Sequence, residues 1–230
     1  MAQHPSRSVE TEHRWPAVIA ILVALGLYAL LPGSFFPELR YVVVAVGLIL
    51  LVPIVVLNPR RLNRETRWSR MISIALGLLL LAANSVALVV LLSRLLAGGD
   101  TDSVSILIAG FQVWLTNVIA FALIYWELDR GGPVARRMDA RAGLPLADFM
   151  FPQDQNGDAI VEVAKGSSAK SDWMPGYVDY LYFSLSNSIA FSPTDVMPLT
   201  HRAKLLMAVH ALTSFVTLAL VIARAVNILN

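Results

Sequence analysis

Tyr180–Thr200 reads YLYFSLSNSIAFSPTDVMPLT and leads directly into the last apolar run of the chain. The stretch is too short and too polar at its far end to cross a bilayer alone, since a spanning helix needs about 20 apolar residues. Its first half is aromatic and helix-compatible, and Trp173, Tyr177, Tyr180, Tyr182 and Phe183 gather where a membrane interface attracts such rings. Pro193 has no N–H to donate and biases Ser192 away from helix, so the chain must leave the helix there. A short helix, a non-helical turn, the carboxylate of Asp195 and a long exit helix together predict a re-entrant segment. Irregular backbone at that depth is tolerated only inside protein or against water. Asn187, Ser188, Phe191, Ser192, Thr194 and Asp195 are therefore expected to line the loop.

The rest of the chain fits an all-α integral membrane protein. Of 230 residues, 57% are hydrophobic and only 15% charged, and mean hydropathy is +0.64, too few charges to keep a soluble surface dissolved. Five apolar runs are expected to span: Pro16–Leu31, Tyr41–Leu57, Met71–Leu96, Val104–Trp126 and Leu205–Leu229. A polar tail (1–15) precedes a four-helix membrane region (16–128), a partly mobile loop (129–175), and the re-entrant helix with the last span (176–230). The run behind the tail lacks a clean small-x-small cleavage site and reads as a retained span rather than a signal peptide.

Lysine and arginine counts set the orientation. Asn58–Arg70 holds five arginines against one glutamate, and Leu128–Arg141 holds Arg130, Arg136, Arg137 and Arg141. Both loops are expected in the cytoplasm, while the loop with Asp100 and Asp102 lies outside. That places the N-terminus in the cytoplasm and the protein in the cell inner (plasma) membrane as a multi-pass chain. Absence of cysteine excludes disulfides, thiolate metal sites and a cysteine nucleophile. The small net charge of +2 is no nucleic-acid footprint.

Several residues invite chemistry. Asp154-Gln-Asn156-Gly-Asp158 suggests a calcium loop, but Ala159 and Lys165 stand where that loop needs glycine and a bidentate glutamate, so a polar turn is the better account. His210 and Ser214 lie one helical turn apart, yet no third group or glycine-flanked serine supports an intramembrane hydrolase. Catalytic residues, cofactors and metal sites are not expected. Glu127 and Asp129 before Arg130 read as an interfacial ion pair, and Asn84, Gln112 and Asn117 as interhelical hydrogen-bonding groups. His210, Thr213, Ser214, Thr217 and Arg224 form a polar stripe on the last span, facing either a neighbouring helix or an aqueous path. On the second alternative, His210, Ser214 and Thr217 join the pore lining.

Tyr182–Leu185 (YFSL), Asp195, Pro198 and the helix from Leu205 resemble the pore helix, filter exit and inner helix of a two-helix potassium-channel module. The filter differs: Ser192 and Pro193 occupy the slot of the glycine and tyrosine whose backbone would present carbonyls to the ion. The arginine counts also put this loop on the cytoplasmic side, opposite to channel pore loops. A more specific resemblance covers most of the chain. WELDRGGP at Trp126–Pro133, FPQ at Phe151–Gln153, W-x-P-G-x-x-DYLY at Trp173–Tyr182, AFSPTD-x-MPLT at Ala190–Thr200 and ARAVNIL at Ala223–Leu229 are similar to a group of bacterial, mainly actinobacterial, polytopic membrane proteins with no assigned activity. The first expectation is a channel-like, pore-forming homo-oligomer without a potassium-selective filter, with an inorganic ion as cargo. The alternative is a non-conducting scaffold docking a partner through the 129–175 loop.

Overall fold

The computed structural model describes residues 11–32, 39–63, 66–97, 103–189 and 195–229. Helix α1 (Trp15–Ala29) opens with Pro16, whose missing N–H costs nothing in the first turn. It is followed by α2 (Leu39–Leu57), α3 (Arg67–Ala97) and α4 (Ser103–Leu128). A cap then folds over one end of the bundle, comprising α5 (Pro133–Met138), β1 (Phe149–Met150), α6 (Val161–Ala164) and α7 (Ser168–Ser171). Helix α8 (Tyr177–Ile189), β2 (Met197–Pro198) and α9 (His201–Leu229) complete the chain.

Among the described residues four helices are long and apolar enough to cross a membrane: Arg40–Leu57, Arg67–Arg94, Val104–Gly131 and His201–Val226. The first expected span is shorter. Fifteen residues of α1 rise only about 22 Å, against a hydrocarbon core of about 30 Å. Pro53 sits inside α2 without ending it, as a membrane helix permits when neighbours meet the freed carbonyl. Arg14 donates to Ile54 O in the last turn of α2 and to Asn58 O just beyond the helix.

Helix α4 is the axis of the molecule: 72% of its apolar window is buried, against 22% for α2 and 17% for α9. Tyr28 of α1 donates to Leu80 O of α3 (3.2 Å). Along α9, Arg202 reaches Leu128 O, His210 reaches Tyr125, and Ser214 reaches Asn117, so α9 runs antiparallel to α4. Helix α8 runs the same way down α4, from Tyr177 beside Trp126 to Ser184, whose hydroxyl donates to Val118 O (2.7 Å).

The chain then comes back. Strand β2 pairs antiparallel with β1, Phe149 opposite Pro198 and Met150 opposite Met197. Leu199 N donates to Asp148 O (2.7 Å), at the end of the bundle where α8 began. Helix α8 therefore descends about 20 Å and its continuation returns to the starting end before α9 sets out. Of Tyr180–Thr200, expected as a short helix and a non-helical turn before an exit helix, the described residues form the rest of α8 to Ile189 and, from Asp195, the short strand β2 ahead of α9. The turn itself, with Phe191, Ser192 and Thr194, lies outside the described residues.

The two arginine-rich loops and the described end of the N-terminal tail lie at one end of the bundle. Residues 11–14 lie across the 58–62 turn, through Arg14 N to Arg60 O (3.2 Å) and Leu62 N to Glu12 O (3.0 Å), while Glu12 also reaches Trp126 at the end of α4. Residues 156–171, expected as the mobile part of the loop, take up short helical turns. Ser167 is fully buried and caps α7 by accepting from Lys170 N.

Candidate functional site: a charged cap and a buried polar thread

The WELDRGGP stretch is the joint between bundle and cap. Helix α4 ends with carbonyls that have no partner further along the helix. Arg136, carried back over them by α5, is fully buried and donates from Nη1 to Trp126 O and Asp129 O, both at 2.8 Å. Its guanidinium lies 4.9 Å from the centroid of the Tyr180 ring. A cation at a helix C-terminus also meets the negative end of the helix dipole. The reversal that brings it there runs through Arg130, Gly131 and Gly132, with φ of 52°, 84° and 97°. The two glycines adopt such angles freely, whereas arginine pays about 1 kcal/mol or more. Arg130 is held in place by Nη2 donating to Phe149 O (3.1 Å) and to Asp154 Oδ2 (2.5 Å).

Asp129 ties the joint together and is 0% exposed. Its Oδ1 accepts from Asp148 N (2.7 Å) and Phe149 N (3.4 Å), and its Oδ2 accepts from the Tyr180 hydroxyl (2.5 Å) with Arg130 Nε at 3.5 Å. Asp148 extends the network to the start of α9, accepting from Arg202 and from the Thr200 hydroxyl. Asp154, the first residue of the expected calcium-like stretch, is committed elsewhere. It accepts from Arg130, Ser168 Oγ (2.6 Å) and Phe151 N (3.0 Å). Burial alone would push its carboxyl up, but Arg130, Ser168 and Phe151 outweigh burial and hold it below the usual 3.8. The polar-turn reading of this stretch is the one the geometry supports.

Glu12 joins the tail to this assembly. Its Oε1 accepts from Tyr177 N at the first residue of α8 (2.6 Å) and from Trp126 Nε1 (3.1 Å). Burial raises this carboxyl above its ordinary 4.5, and Arg136, the Tyr177 N–H, Arg137 and the Trp126 N–H only partly offset that. The folded state therefore holds the proton more tightly than the unfolded chain does. Stability owed to this group is fullest below the unfolded value of 4.5 and declines as pH rises through the higher folded value. Glu12→Gln keeps the acceptor and removes the charge. It is expected to melt with the wild type near about pH 4 and above it near about pH 8; parallel curves for the two proteins would contradict the assignment.

Inside the bundle a second polar system crosses between helices. Thr116 Oγ1 donates to Asn84 Oδ1 (2.7 Å), Asn84 Nδ2 to Asn117 Oδ1 (3.0 Å), and Asn117 Nδ2 to Ser214 Oγ (3.0 Å) and Thr213 Oγ1 (3.1 Å). This thread joins α3, α4 and α9, as the interhelical reading of Asn84 and Asn117 requires. Gln112 is buried beside it, but its Oε1 has no hydrogen-bond partner. Asn117→Ala is expected to cost about 1–2 kcal/mol, read as a lower unfolding midpoint in detergent; an unchanged midpoint would mean the thread adds nothing to stability.

His210 is fully buried and stacked on Phe121, ring centroids 4.2 Å apart. Asn187 Nδ2 and the Tyr125 hydroxyl both lie 3.1 Å from Nδ1, while Nε2 is buried without a hydrogen-bond partner. Ser214 Oγ accepts from Asn117 Nδ2, and among the described residues no hydrogen bond joins His210 to Ser214. Thr217 donates to Thr213 O in its own helix and Ser188 to Leu185 O. The structure thus brings Asn187 and His210 together and buries Ser188, Ser214 and Thr217, while Asp195 is exposed. In this stripe His210 Nδ1 and Ser214 meet groups of neighbouring helices, whereas Thr217 bonds within its own helix. From Leu205 onward the exposed large side chains of α9 are apolar: Leu205, Val209, Leu212, Phe215, Ile222 and Val226.

The sequence reading missed Arg136, Asp148, Glu12 and Tyr125. The two cap residues carried a local signal in the Gly-Gly-Pro reversal, but nothing local separates a buried arginine from a topogenic one. The chain matches no protein-family model, no curated protein and no solved structure.

Proposed function

We propose that this chain is a non-conducting membrane scaffold that docks a partner protein through the 129–175 cap, with the arginine-rich end in the cytoplasm of the inner (plasma) membrane. One observation carries the reading. The polar residues that would wet a pore are buried, and Asn187, His210 Nδ1, Ser214 and Thr217 find hydrogen-bond partners inside a single chain. The outer face of α9 from Leu205 onward is apolar and suited to lipid.

The cap is correspondingly firm. Buried ion pairs and backbone contacts fix it to α4 and α9. On this platform Ile160 and Val161 stand 66% and 68% exposed, beside half-exposed Val163. Apolar side chains raised on the cap, with Leu146 and Met138 also exposed, suit a protein partner. A photo-crosslinker at Ile160 is expected to trap one discrete protein in native membranes. Ile160→Ser with Val161→Ser should abolish that product without changing the melting temperature. Crosslinks to lipid alone, or a product unaffected by the double variant, would count against docking.

A second reading, a channel-like homo-oligomer, draws on one feature. Helix α8 is held between α4 and α9 and its continuation returns to the end it started from, the arrangement of a pore helix between outer and inner helices. In that reading several copies would place exposed Asp195 around an axis.

A further inference from the structure

We propose that the turn between α2 and α3, Leu57–Asn63, is a binding site for the phosphate of an anionic phospholipid, whose acyl chain lies along the outer face of α2. Leu57, Asn58, Pro59, Arg60, Arg61 and Asn63 line an open concavity of about 440 Å³, within the size range of small-ligand sites. The turn is braced from beneath. Leu62 is buried, Asn58 Oδ1 accepts from Asn63 N (3.2 Å), and residues 12–14 bond the backbone at Arg60 and Leu62. The backbone polar groups are thus occupied by protein while the Arg60 and Arg61 side chains point outward, exposed. Among the described residues no carboxylate pairs with either guanidinium.

Depth makes lipid the fitting source of the anion. The apolar window of α2 ends at Leu57, so the concavity begins where hydrocarbon gives way to headgroups. Exposed Trp68 at the start of α3 lies at the same end, as interfacial tryptophans do. Below the turn, Ile49, Val52 and Val56 are exposed at three- and four-residue spacing along one face of α2, which ends at Leu57 where the turn begins. Charge above and an apolar lane below are the two halves of a phospholipid. Guanidinium groups also match the paired oxygens of a phosphate better than ammonium groups do.

The full-length protein in detergent, titrated with phosphatidylglycerol or phosphatidylcholine and observed by native mass spectrometry, tests the site. Phosphatidylglycerol is expected to bind the wild type, and Arg60→Gln with Arg61→Gln to weaken it by about thirtyfold, the effect of removing two arginines facing an anionic lipid. The charge-matched variant Lys165→Gln with Lys170→Gln, altered at the exposed lysines of the cap, should bind as the wild type does. Equal binding of the two lipids, or equal losses in the two variants, would overturn the proposal. So would complete displacement of phosphatidylglycerol by millimolar inorganic phosphate, which would make this a free-anion site. Melting curves of both variants confirm that each is folded.

Discussion

Asp129→Ala is expected to release the cap and destabilise the protein by about 3–5 kcal/mol, the range for removing one partner of a buried charged network. The carboxylate is fully buried and collects the Asp148 and Phe149 amides, the Tyr180 hydroxyl and the neighbouring Arg130. Alanine leaves two amides and a hydroxyl without their acceptor and Arg130 with one carboxylate fewer. The amides at Asp148 and Phe149 position β1, and β1 positions β2, so the loss passes to the return path from α8. Asp129→Asn keeps the shape and one acceptor oxygen and should cost less. Unfolding in detergent, followed by the fluorescence of Trp126 against Tyr177, together with protease accessibility of residues 139–147, measures both. Alanine and wild-type proteins of equal stability would mean the cap is held by something other than this joint.

Arg136→Ala carries the second large effect, again about 3–5 kcal/mol. One guanidinium nitrogen serves two carbonyls at the end of α4, and its face lies against Tyr180. Removing it uncaps the most buried helix of the bundle and takes away the positive charge nearest to Glu12. Arg136→Lys is not conservative, because a single ammonium cannot reproduce the planar contact with the ring while reaching both carbonyls. Since Asp129 and Arg136 belong to one joint, the double alanine variant should lose clearly less than the sum of the singles. Strict additivity would place the two residues in independent structures. Arg137, next in sequence, donates to Met174 O and serves as a control with a smaller expected loss.

Arg136 and Arg137 also mark where sequence reading stops. Both counted as topogenic arginines, and their local patterns are the same. Only the path of the Gly131-Gly132 reversal decides that one is buried under α4 while the other reaches the Met174 carbonyl. The four long spans were legible because twenty apolar residues have few other uses, and Asn84 and Asn117 because an amide in a span needs a partner. The stripe from His210 to Thr217 was legible as polar but not as to what it faces, since a helix neighbour and water call for the same residue types. Tyr125, His210 and Asn187 are far apart in sequence and come together only when α8 descends between α4 and α9. Residues 156–171 looked loose because they bury little. The short helical turns there are tied by few residues, among them Ser167 at the start of α7 and Ser168 bound to Asp154.

The central claim is that the polar interior holds helices together and forms no path. Ion flux through purified protein in planar bilayers, with the empty bilayer as baseline, tests it most directly. No current above baseline is expected in sodium, potassium or chloride salts, under conditions in which unfolding curves show the protein intact. Discrete conductance steps that change size with Asp195→Asn would contradict it and put the channel-like homo-oligomer in its place.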